Sequence, residues 1–212
     1  LEIGAARSTW LPYFNREFGF QVAGIDYSEV GCTQARAILD RAGVDGTIVC
    51  ADFFSPPAEL LGAFDVVVSF GVAEHFRDTP AALARFAGFL KPGGLMITSV
   101  PNLTGLVGWI QKRVGRKIYD IHVPLDRDDL SLAHQRAGLN VRACGYFMSA
   151  NFSVLNFADW PRGLAYTLAV KLESALTMLV WALELRGLKI RPNKLTSPYV
   201  VCLATKPAPS PQ

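Results

Sequence analysis

Three groups of residues in this 212-residue chain could do chemistry. The opening run LEIGAARS follows an apolar strand signal with the small residues Gly4, Ala6 and Ser8. A turn of that kind, between a strand and a helix, lets a cofactor approach backbone amides at the helix N-terminus. The Cβ atoms of Ala6 and Ser8 narrow the path modestly, and the run reads equally well as an ordinary strand-to-helix turn. Two acids then close later strands. Asp26, in VAGID, follows Gly4 at about the twenty-residue spacing with which a carboxylate reaches both hydroxyls of a ribose. Asp52, in CADFF, could accept from an adenine amino group with Phe53 covering the ring. Helix capping and a surface turn are the plain alternatives for the two acids. His75, in AEH, stands just after a strand at the end of a sheet where ligands bind, and an ordinary imidazole suits a general base. With Glu74 it reads equally as a capped loop pair. His134, beside Gln135 and Arg136 on an expected helix, is expected to be exposed.

Positioning these residues requires a sheet with helices on both faces. Apolar runs at residues 1–3, 21–26, 47–52, 64–70 and 95–101 alternate with helical patterns at 9–18, 28–43 and 79–90. Thr79 reads as an N-cap before Pro80, and KPGG as the stop of that helix. A further helix is expected from its N-cap Asp126 to Gly138, followed by a strand at 140–147. The alternation then breaks. Residues 163–186 read as a long helix that is apolar nearly all round, and the charges Lys171, Glu173 and Glu184 keep it from being a membrane span. SPYVVCLATK returns as a last strand. The expectation is an α/β, doubly wound, mostly parallel seven-stranded sheet. It forms a single domain over residues 1–206, with a helical insertion at 148–196 that is expected to cover the acceptor site and a frayed tail at 207–212. The chain opens inside its first strand, so upstream residues are expected to be missing.

The motifs LEIGAARS, GIDYS, CADFF, FDVVVSFGVAEHF and LKPGGLMITSVPN occur in one register over residues 1–147. Together they resemble a class I S-adenosylmethionine-dependent methyltransferase, with its Rossmann-like fold. The departure lies in the first motif, which keeps Gly4 where the family usually has three glycines. The resemblance implies S-adenosylmethionine as cofactor. It implies that Glu2 helps hold the methionine amine beside Gly4 and Ala6, that Asp26 with its neighbour Tyr27 meets the ribose, and that Asp52 and Phe53 hold adenine. Ser69, Phe70 and Gly71 would pass beside the methionine portion. The loop carrying His122 commonly lines the acceptor pocket in this family, so His122 joins His75 as a catalytic candidate. The EH pair resembles the small-molecule group of the ubiquinone-biosynthesis O-methyltransferases, some of which use a Glu-x-x-Glu-His metal set. Here Gly71 stands where the first glutamate would be, and no metal is expected.

The composition is 50% hydrophobic and 18% charged, too apolar for disorder, and a net charge of +3 points to no nucleic-acid partner. An amino-methylating DNA enzyme would carry an Asn- or Asp-Pro-Pro-aromatic stretch where this chain has SFGVAEH. A nicotinamide dehydrogenase fits neither LKPGG nor the EH turn. Four cysteines far apart indicate neither zinc nor a disulfide framework, but buried thiols in the cytoplasm. The stretch GWIQKRVGRKIYD mixes Trp109 and Tyr119 with four cations, which suits a solvated helix face or an anionic surface. The expected activity is methyl transfer to a small, partly apolar acceptor, at oxygen. A cofactor-binding domain without turnover is the alternative, and peripheral membrane contact or a homodimer is carried with the apolar helix.

Overall fold

The computed structural model describes residues 1–208; the part of the expected tail at 209–212 lies outside the described residues. Seven strands form one sheet: β1 (Glu2–Ile3), β2 (Val22–Asp26), β3 (Gly46–Cys50), β4 (Phe64–Phe70), β5 (Leu90–Pro101), β6 (Asn140–Phe147) and β7 (Tyr199–Thr205), in the order β3-β2-β1-β4-β5-β7-β6. β7 alone runs antiparallel to both its neighbours, as the expected doubly wound, mostly parallel sheet requires.

Helices α1 (Trp10–Phe18), α2 (Glu29–Ala42), α3 (Thr79–Gly88) and α6 (Arg127–Arg136) fall on the expected segments. Local chemistry sets their ends. The Ser28 hydroxyl accepts from Gly31 N, and Gly43 closes α2 in the left-handed conformation. Asp126 and Asp129 form a reciprocal capping box on α6. The cap of α3 is Asp78, whose carboxylate accepts from Ala81 N, and not Thr79, which is already helical. KPGG lies within β5, where the register against β4 slips.

The core has two parts. One gathers Leu11, Val22, Cys32, Ala35 and Leu39 around α1 and α2, and the other gathers Phe86, Phe89, Met96, Leu130 and Val200 around α3 and α6. His134 belongs to the second part. The expectation of exposure fails because α6 turns it into the core, fully buried, with one ring nitrogen 3.0 Å from Thr98 Oγ1 and the other 2.8 Å from Leu130 O. The thiols are also not uniformly buried, since Cys50 is exposed. They meet in pairs: Cys144 and Cys202 are cross-strand partners, and burial with the nearby Cys50 thiol pushes Cys32 up to about 11.

Two insertions leave the carboxyl edge of the sheet. After β5 come α4 (Leu106–Val114) and α5 (Arg116–Asp120), over the stretch read as a solvated helix face or an anionic surface. After β6 come a 3-10 turn at Phe152–Val154 and α7 (Leu164–Leu185). Asn102, fully buried, ties both to the sheet: its side-chain amide donates to Lys194 O and Ser197 O, and its backbone N–H to Pro198 O. Among the described residues no helix is long and apolar enough to cross a membrane.

Candidate functional site

The loop after β1 is built by side chains that the small residues alone do not reveal. Gly4 has φ +75, and a Cβ there would lie 2.5 Å from Val72 Cγ2, so both conformation and space demand glycine. Arg7 also takes a left-handed conformation, at φ 56. Ala5 and Ala6 are accommodated from the other side. A Cβ on Gly24 of β2 would meet the Ala5 Cβ at 2.5 Å, and one on Gly31 of α2 would meet the Ala6 Cβ at 2.6 Å. The loop's methyl groups thus sit against glycines of the elements that face it.

Asp26, at the end of β2, clasps this loop. Its Oδ2 accepts from Ala6 N at 3.0 Å and its Oδ1 from Ser28 N at 2.8 Å. Each oxygen keeps a lone pair, so the carboxylate can still accept from ribose hydroxyls. Beneath the loop the buried Glu2 accepts from the Ser8 hydroxyl, whose oxygen in turn accepts from Trp10 N and Leu11 N at the start of α1. Burial pushes Glu2 up to about 7, and the Ser8 hydrogen bond pulls the other way. A carboxyl so poised suits a cationic amine.

The other expected residues lie along the same edge. Tyr27 is 80% exposed beside Asp26. Asp52 accepts from Phe54 N at 2.9 Å and so closes a turn. Phe53 is buried against Phe86, with ring centroids 5.0 Å apart, whereas Phe54 keeps 40% of its surface exposed; the outward ring at this turn is therefore Phe54. Ser69 is buried with its hydroxyl unpartnered among the described residues, Phe70 packs on Trp10 at 5.3 Å, and Gly71 turns the chain at φ +73.

That turn delivers Glu74 and His75 to the edge, where the structure brings in His122 from the second loop. The two imidazoles lie 4.5 Å apart between centroids, and Val123 N donates to Glu74 O at 2.7 Å, which fixes the loop in place. Glu74, His75 and His122 each offer a ligand atom within 4.8 Å of the others. Nδ1 of His122 contacts Ile118 O, and Nδ1 of His75 lies 3.4 Å from Ile121 O, leaving each Nε2 for a proton or a cation. Glu74 is buried with Oε2 unpartnered, and burial raises it to about 7. Burial lowers His122, with His75 adding to the effect. Two nitrogens and a carboxylate oxygen form a donor set that a divalent transition metal accepts. Sequence reasoning named both histidines but missed their convergence, because 47 positions separate them and no local pattern links the loops.

A family pattern described as a methyltransferase domain matches residues 1–143. A ubiquinone biosynthesis O-methyltransferase of Rhodopseudomonas palustris is 32% identical over 104 residues, 48% of this chain and 39% of that protein. One from Maricaulis maris is 28% identical over 138 residues, 59% of this chain and 52% of that protein. The chain thus spans about half the length, or less, of these relatives. Among solved structures, that of a putative sarcosine dimethylglycine methyltransferase from Galdieria sulphuraria superposes with a TM-score of 0.67, at 14% identity, over 97% of this chain and 77% of that one.

Proposed function

The chain belongs to the methyltransferase-domain family, of the class I S-adenosylmethionine-dependent type, and from that premise we propose that it transfers a methyl group from S-adenosylmethionine to an oxygen of a small, partly apolar acceptor. The observation that carries this reading is the convergence, at one edge of the sheet, of the Asp26 clasp on the loop after β1 with the Glu74–His75–His122 cluster. The donor set fits the cofactor: Asp26 for ribose, Asp52 with Phe54 at the adenine end, and Glu2 below the loop for the methionine amine. The cofactor's sulfonium supplies an activated methyl group. The protein's share is to align the acceptor oxygen in line with it and to take that oxygen's proton. His75 is the first candidate for the proton, at the open side of the pair, with the His122 ring tilted against it. The O-methyltransferase activity of the relatives supports oxygen as the methylated atom.

Calorimetry with S-adenosylhomocysteine, followed by methyl-transfer assays on a panel of phenols and alcohols, tests this reading. Tight binding without turnover on any acceptor would favour the alternative, a cofactor-binding domain that has lost catalysis. His75→Ala should lower turnover by about a hundredfold while leaving cofactor affinity intact. If His122→Ala has that effect instead, the two roles are exchanged.

The unpartnered oxygen of Glu74 supports a second reading of the same cluster, in which Glu74, His75 and His122 hold a divalent cation. Such an ion would polarise the acceptor oxygen and ease loss of its proton. Zinc or manganese bound at one equivalent by the purified chain, and lost in His122→Ala, is the expected result; absence of binding removes this reading and leaves the histidines as bases.

Further partners follow from α7. Its inward positions are Glu173 and Thr177, whereas Leu164, Leu168, Leu172 and Leu179 are exposed. This outward apolar face supports peripheral contact with a membrane from the cytoplasm, and a second copy of the chain is the competing occupant.

A further inference from the structure

A cavity of about 600 Å³ that the cofactor reading does not use is walled by α4, α5 and the segments flanking them, among them the one that carries His122. Tyr119 and Pro124 line it, and they flank His122 in sequence, so the cavity and the proposed proton acceptor share one segment of chain. That segment is pinned to the Glu74 turn by the Val123 N–H. Into the cavity's lining come Lys112, Arg113 and Arg116. Arg116 is paired with Asp120 at 3.0 Å. Lys112 and Arg113 have no carboxylate partner among the described residues. The imbalance is built into the sequence, since residues 102–125 carry four cations and a single acid, Asp120.

The two unpaired cations are held in place by aromatic rings. The Arg113 guanidinium lies 3.6 Å over the Trp109 ring and donates to Trp109 O at 2.8 Å, and the Lys112 ammonium lies 5.5 Å over Tyr119. A place in the last turn of α4 suits a cation for the helix dipole alone, but side chains serving only that end could point into open water. Here they border a concave space together with Trp109 and Tyr119. Cations fixed by rings, facing a cavity with aromatic walls, match a ligand that joins an anionic group to an aromatic or apolar body.

We propose that this cavity is the anion pocket of the acceptor site: Lys112 and Arg113 hold a phosphate or carboxylate borne on an aromatic or apolar body, which presents the acceptor's oxygen to the histidine pair. The inference rests on the methyltransferase reading and narrows its acceptor to an anionic, partly apolar molecule.

Phenyl phosphate and phenol are suitable probes, titrated calorimetrically into the full chain with and without S-adenosylhomocysteine. Phenyl phosphate should bind at least about tenfold more tightly than phenol, and the difference should shrink with added salt. Lys112→Ala together with Arg113→Ala should erase the difference while leaving affinity for S-adenosylhomocysteine unchanged; both side chains are exposed, so the fold does not depend on them. Equal binding of the two probes, or a phosphate preference that survives the double substitution, overturns the proposal. So does a double variant that loses S-adenosylhomocysteine, since the cations would then serve the cofactor. Flotation with phosphatidylglycerol and phosphatidylcholine vesicles separates the lipid source: binding to the anionic vesicles through Lys112 and Arg113, with no hold on phenyl phosphate, also overturns it. If the wild type retains phenyl phosphate but binds no S-adenosylhomocysteine, the methyltransferase reading falls and the anion site stands.

Discussion

Asp26 carries two duties at the residue scale, and they can be separated. It holds the loop after β1 through Ala6 N and the start of α2 through Ser28 N. Charge-assisted hydrogen bonds are each worth about 1.5–3 kcal/mol when lost. Asp26→Ala should therefore weaken S-adenosylhomocysteine at least tenfold in calorimetry and also lower the melting temperature; unchanged affinity in a folded variant removes Asp26 from the ribose site. Glu2 makes a prediction about pH. Its carboxyl is raised from 4.5 to about 7, chiefly by burial. The neutral form thus favours the folded state: the contribution is full below pH 4.5 and is lost as pH rises through 7, a change on the order of 3 kcal/mol. Denaturant melts should show stability falling between about pH 4.5 and 7 in the wild type and a flatter profile in Glu2→Gln. A cofactor amine needs the ionised form, so S-adenosylhomocysteine affinity should rise with pH across the same window and be nearly flat in Glu2→Gln. A wild-type stability curve without that slope contradicts the account.

At the scale of elements, the glycine-poor loop is explained by what packs on it. Ala6 is fitted to Gly31 of α2, and Ala5 to Gly24 of β2. Gly31→Ala should cost about 1–3 kcal/mol through overpacking and weaken cofactor binding, because α2 or the loop must give way. Ala6→Gly alone leaves only a methyl-sized space and should cost less than about 1 kcal/mol. Combining the two should recover most of the loss, which thermal melts of the four proteins would read directly. An additive outcome would mean that the two positions do not share this contact.

The whole molecule gathers its irregular segments on one edge. β6 ends and β7 begins at the side where β5 ends, so residues 102–125 and 148–198 both emerge beside the candidate site. α7 packs against the turn Phe152–Val154, with Thr177 Oγ1 accepting from Phe152 N, and the segment before it reaches α4 through Asn156 and Gln111. The outward leucines of α7 are left mostly exposed by this packing. Leu168, 56% exposed, should tolerate replacement by Glu at a stability cost within about 0.5 kcal/mol. The same change should abolish vesicle flotation if the face meets lipid, or shift sedimentation to monomer if it meets a second copy. A variant that unfolds would show instead that the face is packed within the chain.

Local pattern was enough to read the sheet, most of its helices and the candidate site residues, because alternating apolar runs, caps and strand-end acids are signals that survive without context. Gly4 and Asp26 were legible for that reason, and so were the ends of α2 and α6. Their partners were not. Gly31 facing Ala6, the inward turn of His134 onto Thr98, and the meeting of Glu74 with His122 all depend on contacts between segments far apart in the chain. Periodicity reports which face of an element is apolar, and His134 shows its limit: a polar ring can be buried when a hydroxyl and a carbonyl satisfy both nitrogens. The cations of α4 likewise read as a solvated face until folding curved them around a cavity. Spacing along the chain set which chemistry was available, and the crossing of loops at one edge of the sheet decided which groups could act together.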